Sequence, residues 1–153
     1  MVMRVRFHDS VAPLSGRARK AFQLAHQEAQ RLNHPAVGTE HLLLGLAKES
    51  ASPAAAALGR VGFDLRWLRE QVERLRPAGP SDRVLPAALP YTAGLESLVE
   101  GALAAGEACE VLPLTPEYLL AALLEEPGEP ARSILRQRRL SLWCLRRQLR
   151  RLA

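Results

Sequence analysis

The sequence predicts an all-α fold of eight helices, arranged as two tandem four-helix repeats that pack with pseudo-two-fold symmetry. Three observations support this prediction. Hydrophobic residues make up 48% of the 153 residues and aromatic residues only 5%, so Leu, Ala and Val must build the core, and this mixture favours helices. Apolar residues recur at steps of three and four. The pattern of the first half then returns in the second half, after a Pro-rich stretch.

Four helix signals follow one another in the first half of the chain. Ser15 is a suitable N-cap, and small or apolar residues follow it at helical spacing up to Leu32. Thr39 is predicted to cap a second helix, whose run of leucines indicates burial on nearly all sides. Pro53 fits the first turn of a short third helix. Asp64 is predicted to cap a fourth helix that carries a stripe of apolar residues.

A linker and a repeat explain the rest of the chain. Residues 76–90 contain four prolines, which mark a linker. Adding 77 to each position in 14–75 gives its counterpart in 91–152 without a gap, and 15 of the 62 aligned pairs are identical. We therefore predict one domain over 1–153, with repeat 1 at 14–75 and repeat 2 at 91–152. A unit of about 60 residues is marginally stable alone, so we expect the repeats to pack together with the linker outside them.

Composition excludes several classes of protein. The two cysteines, Cys109 and Cys144, are too few for a disulfide framework, and their counterparts Leu32 and Trp67 indicate core or near-core positions. No apolar run reaches the roughly 20 residues of a membrane helix. The basic segment 1–10 has no apolar stretch after it, so we do not interpret it as a secretory signal. We expect a cytoplasmic protein that does not enter a membrane.

The run Val37-Gly38-Thr39-Glu40-His41-Leu42-Leu43-Leu44-Gly45-Leu46 resembles the amino-terminal repeat domain of the Clp family of AAA+ unfoldases, with the ClpC branch nearest. The family also has two repeats joined by a short linker, so the resemblance extends from about residue 7 to 153. The second repeat departs from the pattern, because Leu114-Thr115-Pro116-Glu117-Tyr118 stands where Val-Gly-Thr-Glu-His would be. The resemblance implies a module that recognises proteins and lacks the ATPase motor.

Glu40 and Glu117 occupy equivalent positions, each 25 residues after its helix cap, Ser15 or Thr92. The resemblance implies that these glutamates receive the guanidinium of phosphorylated arginine on substrates, while residues near the caps help to hold the phosphate. A carboxylate pairs with a guanidinium in a bidentate manner, and a helix N-terminus binds phosphate. The alternative is that both glutamates are ordinary acids in the first turn of a helix.

Other candidate chemistry is weak in this sequence. Neither lysine follows a glycine or precedes Ser or Thr, so no Walker A loop for ATP is present. His41 belongs to no metal-binding motif, and its counterpart Tyr118 indicates a packing role. We expect no cofactor, no metal site and no enzymatic activity. We interpret Trp67 and Trp143 as packing anchors.

The carboxy-terminal helix carries a basic face, which we treat as a possible surface for an acidic partner. Its members are Arg146, Arg147, Arg150 and Arg151. The alternative is a solvated polar face.

The resemblance implies a non-catalytic protein-binding module of the Clp chaperone and protease system that recognises substrates or adaptors. It also implies Clp ATPase and protease subunits as candidate partners. The rival function is a nucleic-acid-binding regulator that uses the arginine-rich helices, with binding that depends on salt.

Overall fold

The part of the chain that the structure describes contains eight α-helices, which confirms the predicted all-α class. The structure is a computed structural model that describes residues 13–125 and 128–152, so the amino-terminal segment 1–10 discussed above lies outside it. In chain order the helices are α1 (Gly16–Arg31), α2 (Thr39–Lys48), α3 (Pro53–Arg60), α4 (Leu65–Leu75), α5 (Ala93–Ala108), α6 (Pro116–Glu125), α7 (Ala131–Arg136) and α8 (Arg139–Leu152).

Side-chain caps fix the start of most helices before residue 100. Ser15, Ser52, Asp64 and Thr92 each accept a hydrogen bond from the backbone amide three residues later. The prediction that Thr39 caps α2 is wrong. Gly38 is the N-cap, and Thr39 is the first helical residue. The Thr39 hydroxyl instead lies 3.5 Å from a main-chain carbonyl oxygen of the second half, at residue 129.

Backbone hydrogen bonds join the two halves in two matched pairs. The amide of Ser15 donates to the carbonyl oxygen of Leu114 (2.8 Å), and the amide of Thr92, 77 residues later, donates to that of Val37 (2.9 Å), 77 residues before Leu114. The return bonds run from Leu114 N to Pro13 O (2.8 Å) and from Val37 N to Pro90 O (2.9 Å). Each bond of one pair thus has its counterpart in the other, as pseudo-two-fold packing requires.

The core is densest where α1 crosses α2. Gly45 makes this crossing possible, since a Cβ at this position would lie 2.2 Å from the carbonyl oxygen of Ala21. Leucines 42, 43, 44 and 46 surround it and are fully buried, as the predicted second helix required. The glycines at positions 101 and 106 also predict a close approach to α5. The structure places no atom within 4 Å of a Cβ at Gly101, but a Cβ at Gly106 would lie 2.8 Å from the side chain of Leu112, so Gly106 serves that purpose and Gly101 does not.

The linker lies on the surface, but hydrogen bonds attach it to the first half. The amide of Gly79 donates to the carbonyl oxygen of Leu32 (2.8 Å), and the amide of Leu89 donates to the imidazole of His26 (2.9 Å). Leu89 itself is buried. The segment is thus a surface linker that is attached along α1 and the α1–α2 connection.

Two of the packing expectations fail at particular residues. Cys109 follows the last residue of α5 and is exposed, although its counterpart Leu32 is buried, whereas Cys144 is partly buried. Trp143 is 56% exposed and is not a packing anchor. Trp67 does pack, with its ring 5.6 Å from that of Phe63. The 77-residue offset relates backbone positions, but it does not determine how deeply each side chain lies.

Candidate functional site

A groove of about 650 Å³ lies where the start of α1 meets the start of α6. Ser15 and Glu117, both predicted as site residues, line it together with Arg17 and Tyr118. The bond from Ser15 to Leu114 brings these helix starts together, although they are about a hundred residues apart in the chain. Glu117 is in the first turn of α6, and its Oε1 is buried without a hydrogen-bond partner among the described residues. An unpartnered oxygen on a residue that lines an open groove can accept a hydrogen bond from a group that binds there.

The opposite wall of the groove suits an anion. The first intrahelical bond of α1 runs from Arg19 N to Ser15 O, so the amides of Gly16 and Arg17 precede the helical ladder. The space beside Gly16 is open, since a Cβ there would meet no atom within 4 Å. The helix dipole and the exposed Arg17 add positive charge at this end. The groove therefore offers a carboxylate on one side and an anion-binding helix terminus on the other.

Glu40 has a different environment from its counterpart Glu117. It is only 1% exposed, and the guanidinium of Arg76 lies 3.1 Å from its Oε1. Its Oε2 is buried without a hydrogen-bond partner among the described residues. Burial raises the pKa of Glu40, and the charge of Arg76 opposes this rise. The chain's own arginine thus contacts the carboxylate that the sequence predicted to meet a substrate.

Two buried histidines connect the start of α2 to the end of α4. His34 Nε2 lies 3.1–3.2 Å from the carbonyl oxygens of Arg76 and Pro77, so it carries the proton and donates. His34 Nδ1 then accepts from His41 Nε2 (2.9 Å), and His41 Nδ1 accepts from the Gly38 amide (2.9 Å). Burial lowers the pKa of His41 to about 3, and the positive charge of Arg76 adds to this effect. His41 therefore has the packing role predicted for it.

Gly38 explains why the two glutamates differ. The Glu40 carboxylate folds back over the helix start so closely that a Cβ at Gly38 would lie 2.6 Å from both of its oxygens. The equivalent position in the second half is Thr115, which has a Cβ. Glu117 cannot fold back in the same way past such an atom. Its carboxylate lies in the wall of the groove instead.

Thr92 is the fourth predicted site residue. Its hydroxyl caps α5 by accepting from the amide of Leu95 (3.2 Å), and its own amide bonds to Val37, just before the start of α2. Each cap thus lies beside the helix start that carries the glutamate of the other half: Ser15 near Glu117, and Thr92 near Glu40. The repeat alone did not indicate this crossing, because it relates each cap to the glutamate of its own half.

The predicted basic surface on α8 is partly engaged within the chain. Arg146 donates to the main-chain carbonyl oxygen of residue 124 (3.0 Å), and the guanidinium of Arg147 lies 5.4 Å from the centre of the Trp143 ring. Arg150 and Arg151 are exposed, and no acid of the described residues pairs with them. All four arginines are exposed, and two of them also make contacts within the chain.

Within residues 13–125 and 128–152, no group of three or more His, Cys, Asp or Glu side chains is placed to hold a metal ion. In the same part of the chain no helix is both long enough and apolar enough to cross a membrane.

Gly38, Arg17 and Arg76 were not predicted as residues of the candidate site. The sequence does contain one signal for Arg76. Its counterpart at position 153 is alanine, so an ion pair like that of Arg76 with Glu40 cannot form at the equivalent position of the second half.

Comparison with known proteins agrees with this architecture. The model of the family described as "Clp repeat (R) N-terminal domain" matches residues 13–138. A probable ATP-dependent Clp protease ATP-binding subunit from Chlamydia pneumoniae is 36% identical over 123 residues, which are 79% of this chain and 14% of that protein. The protein "Negative regulator of genetic competence ClpC/MecB" from Bacillus subtilis is 31% identical over 133 residues, which are 87% of this chain and 16% of that protein.

A solved structure extends the match to the fold. The N-terminal domain of ClpD from Arabidopsis thaliana superposes with a TM-score of 0.71 at 21% sequence identity, covering 94% of this chain and 98% of that one. The chain spans only 14% to 16% of the length of the two curated relatives named above. Since the family model covers most of the chain, the family is established: the chain belongs to the Clp repeat N-terminal domains.

Proposed function

We propose that this chain is a protein-binding module of the Clp chaperone and protease system, which holds a phosphorylated arginine of a substrate or adaptor in the groove between α1 and α6. One observation carries the proposal: Glu117, whose Oε1 has no hydrogen-bond partner among the described residues, lines the same groove as the start of α1. A guanidinium supplies the donors that this oxygen lacks. Binding requires no chemical step by the module itself.

The other parts of the groove support the phosphate half of the ligand. The hydroxyl of Ser15 accepts from the amide of Ala18 (3.1 Å) and keeps its own proton free to donate to a phosphate oxygen. The amides of Gly16 and Arg17 and the Arg17 guanidinium add further donors. Tyr118 and Leu149 provide apolar surface for the neighbouring residues of a peptide.

The proposal is tested by calorimetric titration with a peptide that contains one phosphoarginine. Replacement Glu117→Gln removes the charge at nearly constant shape, and we expect it to weaken binding by 10-fold or more, equivalent to about 1.5–3 kcal/mol for a hydrogen bond to a charged group. Glu96→Gln is the matched control, because Glu96 is an exposed acid in the first turn of α5. Equal affinities of Glu117→Gln and wild type would overturn the proposal.

A further inference from the structure

We infer that Arg76 is an internal ligand of the Glu40 carboxylate, so that a guanidinium from another molecule binds at Glu117 and is excluded from Glu40. The occupation of Glu40 stands on the geometry alone. The statement about Glu117 rests on the proposed function.

The contact of Arg76 with Glu40 is fixed at both ends. The backbone of Arg76 caps α4: its amide donates to the carbonyl oxygen of Val72 (2.8 Å), and its own carbonyl oxygen accepts from His34 Nε2. Glu40 is held against Gly38, where no Cβ obstructs it. The main chain therefore fixes the positions from which the two side chains reach each other. An external guanidinium would have to displace that of Arg76.

The Arg76 side chain also closes the route to the carboxylate. It is 38% exposed while Glu40 is 1% exposed, so the arginine forms part of the surface above the buried acid. The second half has no equivalent, because position 153 is alanine. The repeat makes the two glutamates equivalent, but Glu40 has an internal contact with Arg76 while Glu117 lines an open groove. This division predicts one ligand for each chain, where the repeat alone would predict two.

Chemical rescue tests the internal contact without any substrate. Arg76→Ala removes the atoms that ethylguanidinium contains, so millimolar ethylguanidinium should refill the space and shift the amide resonances of Gly38 and Thr39. The wild-type chain and the double variant Arg76→Ala, Glu40→Gln should show no such saturable shift. Arg74→Ala, which removes an exposed arginine of α4, is the matched control. If ethylguanidinium leaves Gly38 and Thr39 unchanged in Arg76→Ala, or shifts them equally in the double variant, the inference is wrong.

A second titration uses free phosphoarginine and compares the wild-type chain with Arg76→Ala. In the wild-type chain we expect one equivalent to bind, with shifts at Gly16 and Tyr118 and none at Gly38 or at the Arg76 Nε–H. In Arg76→Ala we expect two equivalents. Saturable movement of the wild-type Arg76 Nε–H and Gly38 together would show displacement and overturn the inference. If the wild-type chain binds no phosphoarginine at Tyr118, the proposed function fails, while the rescue experiment still decides the role of Arg76.

Discussion

At the scale of single residues, the role of a glutamate depends on neighbours that are not in its own motif. Glu40 and Glu117 share a position, a helix turn and a charge. Gly38 allows the first to fold back, and Arg76 then covers it. Thr115 replaces Gly38 in the second half, and Glu117 lies in the groove. A charged residue can therefore occur at the same position of two repeats and still lie in two different environments.

His41 gives the chain a predicted sensitivity to acid. Its pKa falls from 6.5 to about 3 on folding because of burial, so below pH 6.5 the unfolded chain binds a proton that the folded chain does not. Stability is therefore lost as the pH falls from 6.5 towards 3, by up to about 1.4 kcal/mol for each pH unit from this residue. We expect His41→Gln to have a flatter dependence of unfolding free energy on pH between 7 and 5.

The measurement is urea unfolding at several pH values within that window. Glu96→Gln should keep the wild-type slope, because Glu96 is exposed and forms no bond to the histidine pair. Parallel profiles for His41→Gln and wild type would contradict the neutral, buried state of His41 that the hydrogen bonds with His34 and Gly38 indicate.

At the scale of helices, the sequence was sufficient for the order and type of elements but not for their contacts. Caps and apolar periodicity are local signals, and they located eight helices. Close approach between helices depends on three-dimensional contacts. The glycines of α5 looked suited to it, whereas Gly45 in α2 is the residue that meets a neighbouring backbone. The exposure of Cys109 and Trp143 was not predicted for the same reason. The 77-residue offset between the repeats gives no information on how deeply a side chain is buried.

Two glycine substitutions test this distinction between helices. Gly45→Ala should destabilise the chain by about 2 kcal/mol or more, because the added Cβ would overlap the carbonyl oxygen of Ala21. Gly101→Ala should stabilise it by about 0.5–1 kcal/mol, because alanine is the better helix former and the space beside Gly101 is empty. Both changes are read from urea unfolding curves. A gain in stability for Gly45→Ala would show that α1 and α2 do not cross as closely as described.

At the scale of the whole molecule, the two halves build the site together. The bonds of Ser15 to Leu114 and of Thr92 to Val37 place each cap beside a helix start of the other half. The resemblance to the Clp repeat indicated the four candidate residues, and spacing identified them as caps and first-turn acids. The sequence could not supply their pairing across the halves, nor the internal guanidinium of Arg76. Both depend on how the repeats pack, and packing has no signature in a single repeat.

The most direct test of the account is the position of phosphoarginine in a crystal structure of its complex with this chain. We expect the guanidinium against the Glu117 carboxylate and the phosphate at the amides of Gly16 and Arg17, with Arg76 still in contact with Glu40. Phosphoarginine bound instead at Glu40, or on the arginine face of α8 with the groove empty, would contradict the account.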